Sequence, residues 1–210
     1  MKEFIIQKNE ENQRFDKYLK KLLPNASTSF LYKMMRKKNI VINKKKVEGN
    51  EKLKAGDVVS IFLSDETFDK FHVNLEELKK EYDNLKSLTL KGLKVIYEDD
   101  EMIVADKPYN MLSQKASDKD LSANEYLLGY MINKDELSFE EFQTFKPSVV
   151  NRLDRNTTGL LLFGKTLNAL QQLGEGIRER SIDKYYRAVV AGELKESLEL
   201  KGYLLKDEKT

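Results

Sequence analysis

The stretch Val150-Asn151-Arg152-Leu153-Asp154-Arg155-Asn156-Thr157-Thr158-Gly159-Leu160-Leu161-Leu162-Phe163 decides the reading of this chain. It begins apolar, passes through an aspartate flanked by two arginines, turns at Thr-Thr-Gly and ends in four apolar residues that predict a buried strand. Arginines on both sides set positive charge beside a carboxylate, and the turn fixes its direction. Such a carboxylate is suited to act as nucleophile or base. The same stretch runs into Gly164-Lys165-Thr166 and so satisfies the phosphate-loop pattern G-x-x-x-x-G-K-[ST]. That loop must curl its backbone N–H groups around phosphates, whereas Leu160 to Phe163 predict a strand, and RNTT rather than a strand precedes Gly159. Nucleotide hydrolysis is therefore set aside.

Working outward, 93–97 and 102–106 predict two strands joined by an acidic turn, and 149–150, 160–163 and 184–191 predict further strands. Helices are expected over 123–131 and 167–180, the second capped by Thr166. Several strands with interspersed helices predict an α+β domain with a mixed, mainly antiparallel sheet. In the strand expected at 184–191, Lys184, Tyr186, Ala188 and Val190 would share one face, with Tyr185 on the other.

The N-terminal third is different in charge. Residues 1–62 hold fifteen Lys/Arg against seven Asp/Glu, while 63–105 hold six against eleven, so a basic module precedes an acidic segment. Phe15, Leu19, Leu22 and Leu23 predict a helix that Pro24 stops. Ser27, Thr28 and Ser29 offer caps for a second helix, striped by Phe30, Leu31, Met34 and Met35. Lys33, Arg36 and Lys37 then share its solvent face, and Lys44, Lys45 and Lys46 follow in a turn after the strand Ile40-Val41-Ile42. A further strand is expected over 58–62. Point charges on a firm helix face beside a lysine turn suit a phosphate backbone. Residues 64–91 read as a charged linker with one short helix; His72 has no partner at metal spacing and is assigned packing.

Two resemblances follow from these residues. The order R-x-D-x-x-L, helix, I-x-I-N-x-x-x-V, K-x-G-D-x-V over 14–63 resembles the S-four RNA-binding module. The stretch around Asp154 resembles the H-R-L-D-x-x-T-S-G-L-L-L signature of RNA pseudouridine synthases of the large-ribosomal-subunit type. Asp106-Lys107-Pro108-Tyr109-Asn110 is similar to that family's first motif, and Lys184-Tyr185-Tyr186-Arg187-Ala188 to its later K-x-Y-x-A strand. A lone aspartate is ordinarily a cap or a surface charge; agreement at Arg152, Leu153, Asp154, Thr157 and Gly159 argues otherwise.

The resemblance implies a module at 1–63, a linker at 64–91 and a synthase domain at 92–210. It implies isomerisation of uridine in RNA, most naturally ribosomal RNA of the large subunit. Asp154 would be the catalytic residue, with Arg152, Tyr186 and Lys107 contacting substrate and Lys33, Arg36, Lys37, Lys44 and Lys45 holding RNA. Asp154 would attack the ribose or the base, or remove a sugar proton. Three positions depart from the pattern: Asn110 for glycine, Asn151 for histidine and Thr158 for serine. No R-T-H-Q-I-R-like segment follows GYLLKDEKT, so the expectation is a synthase domain missing its C-terminal part. A non-catalytic RNA binder is the alternative.

Composition excludes several classes. With no cysteine and one histidine, disulfides and thiolate zinc sites are out, and no cofactor or metal is expected. No apolar run is long enough to cross a bilayer and the N-terminus lacks a signal core, so a cytoplasmic monomer is expected.

Overall fold

The computed structural model describes residues 1–117 and 119–202; the part of the expected synthase segment at 203–210 lies outside them. Two cores are built in succession. The first surrounds a sheet of β1 (Lys2–Ile5), β3 (Val58–Ile61) and β2 (Ile40–Ile42), with β3 central and both pairings antiparallel. Against it pack α1 (Phe15–Leu22) and α2 (Thr28–Arg36). Phe15, Tyr18, Leu19 and Leu22 recur three and four residues apart, so one face of α1 is buried. The helix ends just before Pro24, whose ring disfavours helical backbone in the preceding residue. Ser27 caps α2 by accepting the Phe30 N–H.

The segment expected to be a linker with one helix contains two, divided between the cores. Ser64 caps α3 (Asp65–Phe71), whose Phe68 and Phe71 pack on the first core. Asn74 caps α4 (Leu75–Lys86), which sends Leu78, Tyr82 and Leu85 into the second. A seven-residue helix with two apolar contacts leaves little periodicity to read, and its acidic first turn looks like linker. His72 ends α3 by stacking on Phe68, with Nδ1 3.0 Å from the Val73 carbonyl. Burial pushes its ring below the ordinary histidine range, as packing requires.

The second core is a sheet in the order β4-β5-β7-β6, antiparallel throughout: β4 (Lys94–Glu98), β5 (Met102–Lys107), β7 (Gly159–Gly164) and β6 (Ser148–Val149). In β5, Ile103, Ala105 and Lys107 alternate onto the buried face; Leu161 and Phe163 do so in β7. Above them lies α5 (Ala123–Asn133), buried on nearly every side between the sheet and α4. The α4–α5 approach needs Gly129, since a Cβ there would collide with the Leu85 carbonyl oxygen. Two more helices, α6 (Phe139–Thr144) and α7 (Leu167–Arg178), belong to this part of the chain, and Thr166 caps α7 as expected.

The phosphate-loop lookalike is the strand β7 followed by a charge network centred on the buried Lys165. Lys165 Nζ reaches Glu136 at 2.6 Å, the Asp99 carbonyl at 2.9 Å and Glu98 at 3.1 Å. Lys134 and the Tyr130 hydroxyl also bind Glu98, each at 2.8 Å.

The strand expected over 184–191 does not form. Those residues have no regular structure, and Tyr185 and Val189 are almost wholly exposed. Alternation makes a strand only where a sheet edge receives it, and the edge strand β6 is two residues long. The two domains meet through α1 and α6. The Thr144 hydroxyl donates to the buried Glu10 carboxylate, and Asn9 Nδ2 donates to Glu141 at 3.1 Å.

Candidate active site

The basic face comes first along the chain. Lys33, Arg36 and Lys37 all point to solvent from α2 and its C-cap, as their spacing predicts. Lys44, Lys45 and Lys46 are exposed on the turn that follows β2. That turn is firm: Asn43 and Lys44 both have positive φ, and the Lys45 N–H closes on the Ile42 carbonyl at 2.8 Å. Asn43 locks it to β3, accepting the Val58 N–H at 2.9 Å and donating to Asp57 at 2.8 Å. The result is a set of exposed cations carried on a helix and on a hydrogen-bonded turn.

The loop after β6 carries Arg152, Asp154 and Arg155, all three exposed. It emerges where Lys107, the last residue of β5, faces Gly159, the first of β7. The Thr157 N–H returns to the Asp154 carbonyl at 3.0 Å, making the turn that the sequence places there. Asn151, which stands where the family pattern has histidine, ties the base of the loop to β7. Its Nδ2 donates to the Leu160 carbonyl at 3.0 Å and its Oδ1 accepts the Leu162 N–H at 2.8 Å. Gly159, with φ of +128°, allows the loop to enter the strand.

Lys107, expected among the substrate contacts, lies instead beneath this loop with no exposed surface. Its ammonium donates to the carbonyls of Met111 at 2.8 Å, Pro108 at 3.2 Å and Arg155 at 3.3 Å. Three N–H groups meet three carbonyls, so none is left for a ligand. Burial pulls Lys107 below the ordinary lysine range, while the Asp154 charge pulls it back up. The lysine thus underlies the aspartate in charge as well as in position.

A cavity of about 620 Å³ opens beside the loop. Its lining includes Asn151, Leu153, Asn156 to Gly159, and Lys184, Tyr185, Tyr186 and Arg187, but neither Arg152 nor Asp154. The expected aromatic is therefore brought to the loop, but by an irregular segment: Tyr186 is 64% exposed, and Tyr185 lines the same cavity rather than the opposite face.

Ser113 carries no motif signal in the sequence. It is 3% exposed, and its hydroxyl donates to the Leu153 carbonyl at 2.8 Å while accepting the Leu153 N–H at 2.9 Å. No local pattern links residues forty apart.

A family model described as RNA pseudouridylate synthase matches residues 101–210, and one described as S4 domain matches 13–59. The chain belongs to the RNA pseudouridylate synthase family. It is 34% identical over 209 residues to the ribosomal large subunit pseudouridine synthase C of Vibrio vulnificus, covering 97% of this chain and 60% of that protein. The Escherichia coli K12 protein of the same name is 31% identical over 188 residues, covering 90% of this chain and 54% of that one. An uncharacterized RNA pseudouridine synthase of Mycoplasma pneumoniae is 31% identical over 206 residues, covering 97% and 60%. The chain thus spans a little over half the length of these curated relatives.

Proposed function

We propose that this protein converts uridine to pseudouridine in RNA, with ribosomal RNA of the large subunit as substrate and Asp154 as the catalytic carboxylate. The observation that carries the proposal is the exposed Asp154 on a loop held from below, beside a cavity walled by Tyr185, Tyr186 and Arg187. In the reaction the bond from N1 of uracil to C1′ of ribose breaks, the base turns, and C5 bonds to C1′. The proton lost from C5 balances the one gained at N1, so the reaction is redox-neutral and needs no external group. The target nucleotide must leave its stack to reach a carboxylate, and a cavity of this size suits an extruded nucleotide.

Arg152 is assigned to the displaced RNA and Tyr186 to stacking on the base, where a ring of any aromatic type would serve. Lys33, Arg36, Lys37, Lys44 and Lys45 hold flanking phosphates and thereby the salt dependence of binding. The S4 match and the large-subunit names of the relatives support this assignment of substrate. Among the described residues no helix is long and apolar enough to cross a membrane.

The test is to incubate the protein with unmodified transcripts of large- and small-subunit ribosomal RNA, digest them to nucleosides and separate these by chromatography. Pseudouridine in the large-subunit transcript alone is expected. RNA binding with no pseudouridine in either would favour a non-catalytic binder instead.

A further inference from the structure

The loop bearing Asp154 belongs to no sheet or helix, yet the backbone of the residue before the aspartate is satisfied at both its groups by one side chain. Ser113 Oγ accepts the Leu153 N–H at 2.9 Å and donates to the Leu153 carbonyl at 2.8 Å. A hydroxyl can do both at once because it carries one proton and two lone pairs. The serine is itself held from the other side. Its carbonyl accepts the Asn124 N–H at 3.2 Å, and the Ala123 N–H binds the neighbouring Leu112 carbonyl at 2.8 Å. Ser122 is in turn the cap of α5, gripped by Glu125, which binds its backbone N–H at 3.1 Å. A continuous run of hydrogen bonds therefore leads from the buried N-terminus of α5 to the peptide that enters Asp154. On the far side of the aspartate the Arg155 carbonyl is held by Lys107.

From this geometry we infer that Ser113 is a positioning residue for the isomerisation: it fixes the orientation of the Asp154 carboxylate without touching the substrate. The inference rests on the reading of Asp154 given above. Ser113 is 3% exposed and sits behind the loop, so it adds nothing to the surface that RNA meets. Its removal leaves Leu153 free to turn about its own backbone, and displacement of a reacting group by about 1 Å costs on the order of 10²-fold in rate. The effect belongs in the chemical step, while RNA affinity, carried by the cations of α2 and the lysine turn, is untouched.

Ser113→Ala, Ser113→Cys and Ser113→Thr, made in the protein encoded by the whole reading frame, separate this role from a merely structural one. Single-turnover rate at saturating RNA, RNA Kd and melting temperature are measured for each, with Asp154→Asn alongside. Ser113→Ala is expected to lose about 10- to 100-fold in rate, with Kd within about 2-fold of wild type because phosphate contacts dominate affinity. Ser113→Thr, which keeps the hydroxyl, should recover most of the rate. Should the alanine variant fail to fold, Ser113→Cys, close in shape but a weak hydrogen-bonding group, should show the same loss of rate in a folded protein. A full rate in folded Ser113→Ala or Ser113→Cys, beside an inactive Asp154→Asn, overturns the positioning role and leaves the reading of Asp154 standing. A full rate in Asp154→Asn overturns that reading itself.

Discussion

The lysine turn at 43–46 and the aspartate loop at 151–158 both present charge to solvent, and both are held rigid by a polar side chain bonded to backbone. In the turn that side chain is Asn43, which lies within the segment it fixes and reaches Asp57 and Val58 on the next strand. In the loop the task falls partly to Asn151, again within the segment, and partly to Ser113 and Lys107, which are 40 and 48 residues distant from the backbone they hold. A local clamp leaves the turn dependent on its own small module. A distant clamp couples the loop to the packing of the whole second domain, through β5 and the N-terminus of α5. Phosphate binding tolerates some play in the cations, whereas a reacting carboxylate does not, and the more extensive support stands under the carboxylate.

This contrast predicts that binding and turnover separate. Reversing Lys33, Arg36 and Lys37 together to glutamate should weaken RNA binding by about two orders of magnitude near 0.1 M salt and flatten the salt dependence by roughly two to three contacts. The single-turnover rate at saturating RNA should stay near that of the wild type. Unchanged affinity and salt slope in a folded variant would reduce that face to a solvated helix.

Stability should divide along the same line. Gly129→Ala drives a methyl group into the Leu85 carbonyl and must part α4 from α5, costing about 1–3 kcal/mol. In the first module Gly56, with φ of +86°, has open space around its Cα, so Gly56→Ala there meets only backbone strain of about 1–2 kcal/mol. Melting curves of the two variants check the order; a larger loss at Gly56 would mean that the α4–α5 contact is looser than described. Asn43→Ala removes the acceptor for the Val58 N–H and should cost about 1 kcal/mol. It should also weaken RNA binding several-fold while leaving turnover of bound RNA intact.

The smallest effect at neutral pH concerns Glu98. Burial would raise its carboxyl, but hydrogen bonds from Lys134, Tyr130 and Lys165 outweigh it and hold the group down at about 2. A carboxylate depressed in the folded state contributes stability that is complete above its unfolded value of about 4.5 and is lost as pH falls toward about 2. Acid unfolding of the second domain should therefore steepen over that window. Glu98→Gln should flatten it, and an unaltered acid limb in that variant would remove the network from the account.

The elements that sequence made legible are those whose pattern is local. The apolar stripes of α1 and α2, the runs Ile40–Ile42 and Leu160–Phe163, and the caps Ser27 and Thr166 all appear where spacing and capping chemistry put them. Helix α3 was hidden in an acidic stretch with only Phe68 and Phe71 to mark it. The stretch 184–191 alternates like a strand and yet is none, because pairing is a property of two segments. Asp154 and the α2 cations are exposed, as their own neighbours in sequence predict. Alternation in β5 turns Lys107 into the core beneath the loop, a placement its motif does not reveal. Ser113 could be found only after the chain had folded back on itself.

The most direct measurement is the single-turnover yield of pseudouridine from one large-subunit transcript by wild-type protein and by Asp154→Asn, with RNA affinity measured on the same samples. The account predicts that the asparagine variant, nearly the same in shape but a poor nucleophile and base, binds with wild-type affinity and forms no pseudouridine. Near-normal yield from Asp154→Asn would contradict it.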